Sequence, residues 1–167
     1  MSETRQYPEW MGKMRGLTPD ELTEFLAGPV VARIATVDAD GFPYVTPVWQ
    51  EWDGEGMYII PREKTVFVKH LLNNPKVAIS CAMDNGTYTR MLMRGVAQIL
   101  SGPEPMTGQV LEIARRMSIR YLGEHGPEYL AGSQDRPRYL IRVTPDPDKK
   151  LITWDGVEWA EKYTAAT

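Results

Sequence analysis

Pro61-Arg62-Glu63-Lys64-Thr65 puts two mobile cations and a hydroxyl where a strand gives way to a helix. A helix N-terminus offers unpaired backbone N–H groups and a partial positive charge. With Arg62 and Lys64 beside it and Thr65 able to donate, the segment suits a phosphate monoester. A solvated charged turn with Thr65 as an ordinary N-cap uses the same residues, and on local pattern alone that is the simpler reading.

Thr46-Pro47-Val48-Trp49-Gln50-Glu51-Trp52 is the second candidate. A proline cannot donate to a strand ladder, so Pro43 and Pro47 place this run on an edge or at a bulge. Free backbone groups on an aromatic-flanked strand can read the polar edge of a planar heterocycle. A packed core or interface strand explains the pattern more simply.

Other chemistry is sparse. No CxxC pair, HExxH, glycine-rich phosphate loop or GxSxG elbow occurs. His70 and His125 are far apart and lack a nearby cysteine partner, so no metal site is expected. His125 reads as part of a helix-ending loop. Cys81 is the single cysteine, which rules out an intrachain disulfide, and it reads as a small buried hydrophobe. Arg90 and Arg94 share one strand face and serve either an anion or water. Arg115, Arg116 and Arg120 read as a solvated helix face. No side chain stands out as a general acid or base.

The elements that must position these residues are mostly strands. Thr18-Pro19-Asp20-Glu21 starts a helix that Gly28-Pro29 ends. Strands are predicted over Val30 to Val37, Phe42 to Trp52, Met57 to Ile60, Lys76 to Cys81, Tyr88 to Leu100, Arg138 to Val143 and Leu151 to Trp154. Thr65 to Asn73 reads as a short helix and Pro105 to Leu122 as a long one capped by Gly123. A short C-terminal helix through Trp159 and Tyr163 is a further expectation. Tight turns between consecutive strands imply antiparallel pairing, with enough strands to close or nearly close a barrel.

At 167 residues the chain suits one domain, residues 1–167, with an N-terminal arm over residues 1–16. The formal net charge of −3 argues against nucleic acid as a partner. No apolar run approaches the length of a membrane span. The opening Met1-Ser2-Glu3-Thr4-Arg5 lacks the order of a secretory signal, and with one cysteine the expected location is cytoplasmic.

Four segments occur in a recognisable order: Ala32 to Gly41, Pro43 to Trp49, Asp53 to Tyr58, and Lys69 to Ser80, the last containing Asn73-Asn74-Pro75. Together they resemble the pyridoxamine 5′-phosphate oxidase-like family of flavin-binding proteins. The likeness continues more loosely through Arg136-Pro137-Arg138-Tyr139-Leu140-Ile141 to Trp154 and Trp159. It implies an α+β fold: an antiparallel split β-barrel, Greek-key-like, flanked by helices. It also implies a homodimer with cofactor sites at the interface, holding FMN or, in one branch, a deazaflavin (coenzyme F-420).

On that resemblance Thr46, Pro47, Val48, Trp49 and Gln50 would lie along the flavin ring. Ile60, Pro61, Arg62, Lys64 and Thr65 would hold the phosphate, with Lys69 one turn later. Arg90 would reach the site from the other subunit and Trp159 would be a C-terminal contact. Many relatives carry a basic pair in the first turn of the short helix, where this chain has Val66 and Phe67. The expected function is a flavin (FMN)-binding oxidoreductase acting on a small organic substrate. No second phosphate site is evident, so reduction of a small acceptor is favoured over pyridoxamine phosphate oxidation. The alternatives are a deazaflavin-dependent reductase of the same fold, a non-catalytic flavin- or haem-binding module, and a cofactor-free dimer.

Overall fold

The structure is a computed structural model that describes residues 15–84 and 88–156. The expected contact at Trp159, the C-terminal helix and nearly all of the N-terminal arm lie outside those residues.

Helix α1 (Pro19–Ala27) starts as its residues dictate. The Glu21 N–H donates to Thr18 Oγ1 at 3.3 Å and the Thr18 N–H donates to Glu21 Oε2 at 2.8 Å, a reciprocal cap. Leu22 and Leu26 turn the buried stripe inward. Eight strands follow: β1 (Ala32–Val37), β2 (Pro43–Val48), β3 (Glu51–Trp52), β4 (Met57–Ile59), β5 (Lys76–Ala82), β6 (Arg90–Glu104), β7 (Arg138–Pro145) and β8 (Ile152–Trp154). Helix α2 (Val66–Asn73) lies between β4 and β5, and α3 (Gly108–Leu122) and α4 (Gly126–Ala131) lie between β6 and β7.

All pairings are antiparallel, in the order β2-β1-β5-β6-β7-β4-β3, with β8 paired to the start of β6. The edge strands β2 and β3 are joined by Trp49 and Gln50 alone. A chain that short spans only about 10 Å. The two ends of an eight-stranded sheet therefore meet, and the sheet curls into a half-open barrel. This is the α+β split barrel that the sequence predicts.

The interior follows strand alternation. Ala32, Ile34 and Thr36 of β1, Val77, Ile79 and Cys81 of β5, and Met91 and Met93 of β6 all point inward and are buried. Met57, Ile59, Ile141 and Val143 complete the wall, and Phe67, Val68 and Leu71 of α2 plug one end. No helix among the described residues is long and apolar enough to cross a membrane.

Four elements differ from the sequence expectation. The run from Phe42 to Trp52 is two strands, because it changes partner from β1 to β4 at Trp49-Gln50. Strand β6 continues to Glu104 through irregular pairing, so the long helix starts at Gly108 rather than Pro105. Gly102 permits this: its φ is +102°, and a Cβ there would lie 2.3 Å from the Arg138 carbonyl oxygen. His125 lies in a 3-10 turn (Gly123–His125) that leads directly into α4, a helix the sequence pattern did not reveal.

Candidate functional site

A cavity of about 290 Å³ lies where the exit of β2, the β4–α2 turn, α3, α4 and the start of β7 converge. One wall is Thr46, Pro47, Val48 and Trp49. Strand β2 pairs only with β1, so its outer backbone edge is open to a ligand. The opposite wall is apolar, from Met106, Ala114 and Met117. Ile60, Pro61, Arg62, Thr65 and Phe67 form one end, with Tyr129, Leu130 and Arg138 facing them.

Trp49 is fixed from behind. Its ring stacks on Tyr121 with centroids 5.1 Å apart and planes 8° apart, and Tyr129 leans against it at 5.6 Å. The Tyr121 hydroxyl donates to the Val30 carbonyl at 2.9 Å and accepts the Gln50 N–H at 3.2 Å. Burial pushes the Tyr121 hydroxyl pKa up, so it stays a donor. The Gln50 carbonyl accepts from Arg120 at 2.8 Å, and its side-chain amide donates to the Leu26 carbonyl at 2.8 Å. Gln50 lies between two strands with no ladder of its own, and α3 and α1 supply what the ladder cannot. Glu51, 8 % exposed, pairs with both Arg116 and Arg120 and locks α3 to β3.

The cationic end has a different origin. Arg62 and Arg138 meet in an isolated antiparallel bridge, flanked by Glu63 N–H to Pro137 carbonyl and Tyr139 N–H to Pro61 carbonyl bonds, each 3.0 Å. Arg138 makes long contacts to the Ile60 carbonyl at 3.5 Å and Ser133 Oγ at 3.4 Å, Tyr129 interacts with it as well, and its buried Nε has no partner. Burial lowers its pKa, Tyr129 opposes that shift, and nearby Arg62 and Arg136 add to it. A half-buried guanidinium with an orphan N–H and cationic neighbours is a ready receptor for an anion. The Thr65 side chain makes no cap hydrogen bond to α2, so its hydroxyl is available as well. These residues fit a phosphate group.

Thr46, Pro47, Val48, Trp49, Ile60, Pro61, Arg62 and Thr65 thus line one cavity. Gln50 is fully buried behind it. Lys64 and Lys69 are exposed and do not line it. Arg90 sits elsewhere, with its guanidinium 4.9 Å from the Trp154 ring centroid. Phe67 is 1 % exposed and packs in the core, which leaves no room for a cation at that position. The sequence reading missed Arg138 and Tyr129. Arg138 had a signal, the basic residues around Pro137 just before a strand, but nothing local says that β7 starts beside the β4–α2 turn.

Residues 18–147 match the family described as Pyridoxamine 5′-phosphate oxidase. The chain belongs to that family. No curated protein matches the chain significantly. Among solved structures, a conserved hypothetical protein from Mycobacterium tuberculosis is similar over 88 % of this chain and 92 % of its own, at 19 % identity and a TM-score of 0.67. HutZ, a heme storage protein from Vibrio cholerae, is similar over 86 % of this chain and 99 % of its own, at 23 % identity and a TM-score of 0.63. An F420 reductase is similar over 74 % of this chain and 91 % of its own, at 27 % identity and a TM-score of 0.57. The pyridoxamine 5′-phosphate oxidase fold thus recurs in proteins named for different ligands, and the activity of this member is a question for its own residues.

Proposed function

We propose that this protein is a flavin-binding oxidoreductase that takes FMN and acts on a small organic substrate. The observation that carries the reading is the pairing of an open, aromatic-backed strand edge at Thr46–Trp49 with a carboxylate-free cationic end at Arg62 and Arg138. The strand edge would hold the planar ring by backbone contacts. Arg62, Arg138 and the Thr65 hydroxyl would hold the phosphate, with Arg138 in the role that Val66 and Phe67 cannot fill. When bound, the flavin would supply the hydride and electron chemistry. The protein would orient the ring against the Trp49–Tyr121 stack and exclude water with Met106, Ala114 and Met117.

Titration of purified protein with FMN, followed by flavin fluorescence, tests this. Saturable binding that weakens about tenfold or more in Arg138→Ala is expected, from the loss of charge-assisted hydrogen bonds. No binding of FMN or of a deazaflavin would overturn the reading. Catalysis is tested by anaerobic mixing with NADH, NADPH or a reduced deazaflavin. Bleaching that reverses on adding an acceptor marks an enzyme, and a ligand that never cycles marks a binding module.

The second reading is deazaflavin (coenzyme F-420) in the same cavity, favoured by the similarity to an F420 reductase. Haem fits less well: neither His70 nor His125 lines the main cavity, and His70 Nδ1 is 2.9 Å from Thr36 Oγ1. We also propose a homodimer, with a second copy of this chain covering the β2 edge. Phe42, just before β2, is 71 % and Val45 62 % exposed, an apolar patch at an edge strand. A monomeric mass by light scattering at micromolar concentration would count against that dimer.

A further inference from the structure

A second recess, of about 260 Å³, lies on the outer face of the sheet, and Lys76, Arg94 and Lys149 all line it. The strand pairing explains its shape. Ala35 is opposite Ala78 and Ala78 is opposite Arg94, so these three share the outward face of β1, β5 and β6. Lys76 is two residues before Ala78 and lies on that face too. The two alanines make a low floor. Val37 and Pro43, paired at the end of β1 and β2, make an apolar side. The other side is cationic. Lys76 is diagonal to Arg94 across the β5–β6 pair, a spacing of about 7–8 Å. Lys149 comes from the turn after β7, which is tied to the same place: the Asp146 N–H donates to the Arg94 carbonyl at 3.0 Å, and the Lys149 N–H to the Asp146 carbonyl at 2.9 Å. Among the described residues, Lys76, Arg94 and Lys149 make no side-chain hydrogen bond or ion pair. Asp146 is the carboxylate on the wall, and its Oδ1 accepts the Asp148 N–H at 2.9 Å.

We propose that this recess binds a small dicarboxylate, with one carboxylate on Arg94 and Lys149, the other on Lys76, and the carbon chain over the alanine floor. Three cations against one carboxylate leave charge for a dianion, and binding relieves the repulsion among the cations. The guanidinium fork suits a carboxylate. Strand β5 lies between β1 and β6, so its backbone N–H groups are used by the ladders. The floor therefore lacks the cluster of free N–H groups that suits a phosphate. A short methylene chain matches that apolar floor, and a compact hydrated anion does not. The recess is separate from the main cavity: Pro43 lines one and Pro47 the other, about 13 Å apart along β2. The inference rests neither on the flavin reading nor on the homodimer.

Glutarate is the probe, with butyrate and inorganic phosphate as controls. Each is titrated at matched ionic strength, and the readout is the rise in melting temperature over the same protein without the probe. Glutarate should stabilise wild type saturably, and butyrate should not. The Arg138→Met variant, which lacks the anion receptor of the main cavity, should respond to glutarate as wild type does and should not respond to phosphate. Arg94→Gln should weaken the apparent glutarate affinity about tenfold. Ala78→Leu keeps every charge but fills the floor, and it should weaken glutarate as much. Asp146→Asn keeps the oxygen that accepts the Asp148 N–H and removes the opposing charge, so it should tighten glutarate. Equal responses to glutarate and butyrate overturn the inference. A glutarate response that disappears in Arg138→Met assigns the ligand to the main cavity and also overturns it. If Arg94→Gln weakens glutarate and Ala78→Leu does not, the cations act as a surface charge and the recess is not a site. If phosphate stabilises Arg138→Met through Arg94, the site takes a single compact anion and the dicarboxylate assignment is wrong.

Discussion

The Trp49 ring lies flat on the Tyr121 ring, 5.1 Å between centroids and 8° between planes, so the strand exit that lines the cavity is backed by the long helix. The Tyr121 hydroxyl holds two backbone groups, from Val30 and Gln50, that no strand partner reaches. Tyr121→Phe keeps the stack and strands both groups. It is expected to cost about 1–3 kcal/mol in urea unfolding, the range for leaving buried polar groups unpaired. Tyr121→Ala should cost more, because the ring also packs. Equal costs for the two variants would mean that the hydroxyl contributes everything and the stack nothing.

Glu51 ties the same helix to β3 through Arg116 and Arg120. The Glu51 and Arg120 side chains are only 11 % and 17 % exposed, whereas Arg116 is 54 % exposed. Removing the carboxylate leaves Arg120 charged and partly buried. Glu51→Ala is therefore expected to destabilise by about 3 kcal/mol, toward the value for breaking a buried pair. Arg116→Ala should cost well under 1 kcal/mol, as exposed ion pairs do. Chemical denaturation of both variants checks the ratio.

Arg138 should behave in the opposite sense. Its hydrogen bonds to Ile60 and Ser133 are long, and Arg62 and Arg136 repel it, with Tyr129 offsetting part of that repulsion. Arg138→Met is expected to raise the melting temperature of the ligand-free protein at low salt. The gain should shrink as salt is added and screens the repulsion. Added phosphate should stabilise wild type and leave the variant unmoved. A lower melting temperature at every salt concentration would show that the guanidinium is structural.

Cys81 gives a pH dependence. Its side chain is fully buried, and burial pushes the thiol pKa from 9.0 up to about 12, with Arg33 pulling weakly the other way. The unfolded thiol ionises first, so between these values the unfolded chain has released a proton that the folded chain keeps. Stability must therefore fall as pH rises through that window, by up to about 1.4 kcal/mol per pH unit. Cys81→Ala should be less stable at neutral pH but should lose this part of the slope. Urea midpoints of both proteins at pH 8 and pH 10.5 measure the difference.

Local pattern reached far into this molecule. The α1 cap, the turns at Asp38–Gly41 and Asp53–Gly56, and the burial of Cys81 were legible because each depends on residues close in sequence. The order of those pieces identified the family. Four residues of the β2 exit and four around the β4–α2 turn were legible as site candidates for the same reason. The rest depended on contacts between distant segments. Gln50 reads as a ligand-facing polar residue until α1 and α3 close over it.

The sequence by itself determined the strands, their edges and the apolar Val66 and Phe67 at the start of the short helix. The tertiary structure alone decided where the charge of the cavity lies. Arg138 is 76 residues from Arg62, and only the return of β7 along the β4–α2 turn makes them neighbours. Periodicity reports which face of an element is buried, but it does not report which element comes back to meet it. That depends on the pairing order of the sheet, and here the pairing order builds the cationic end of the cavity.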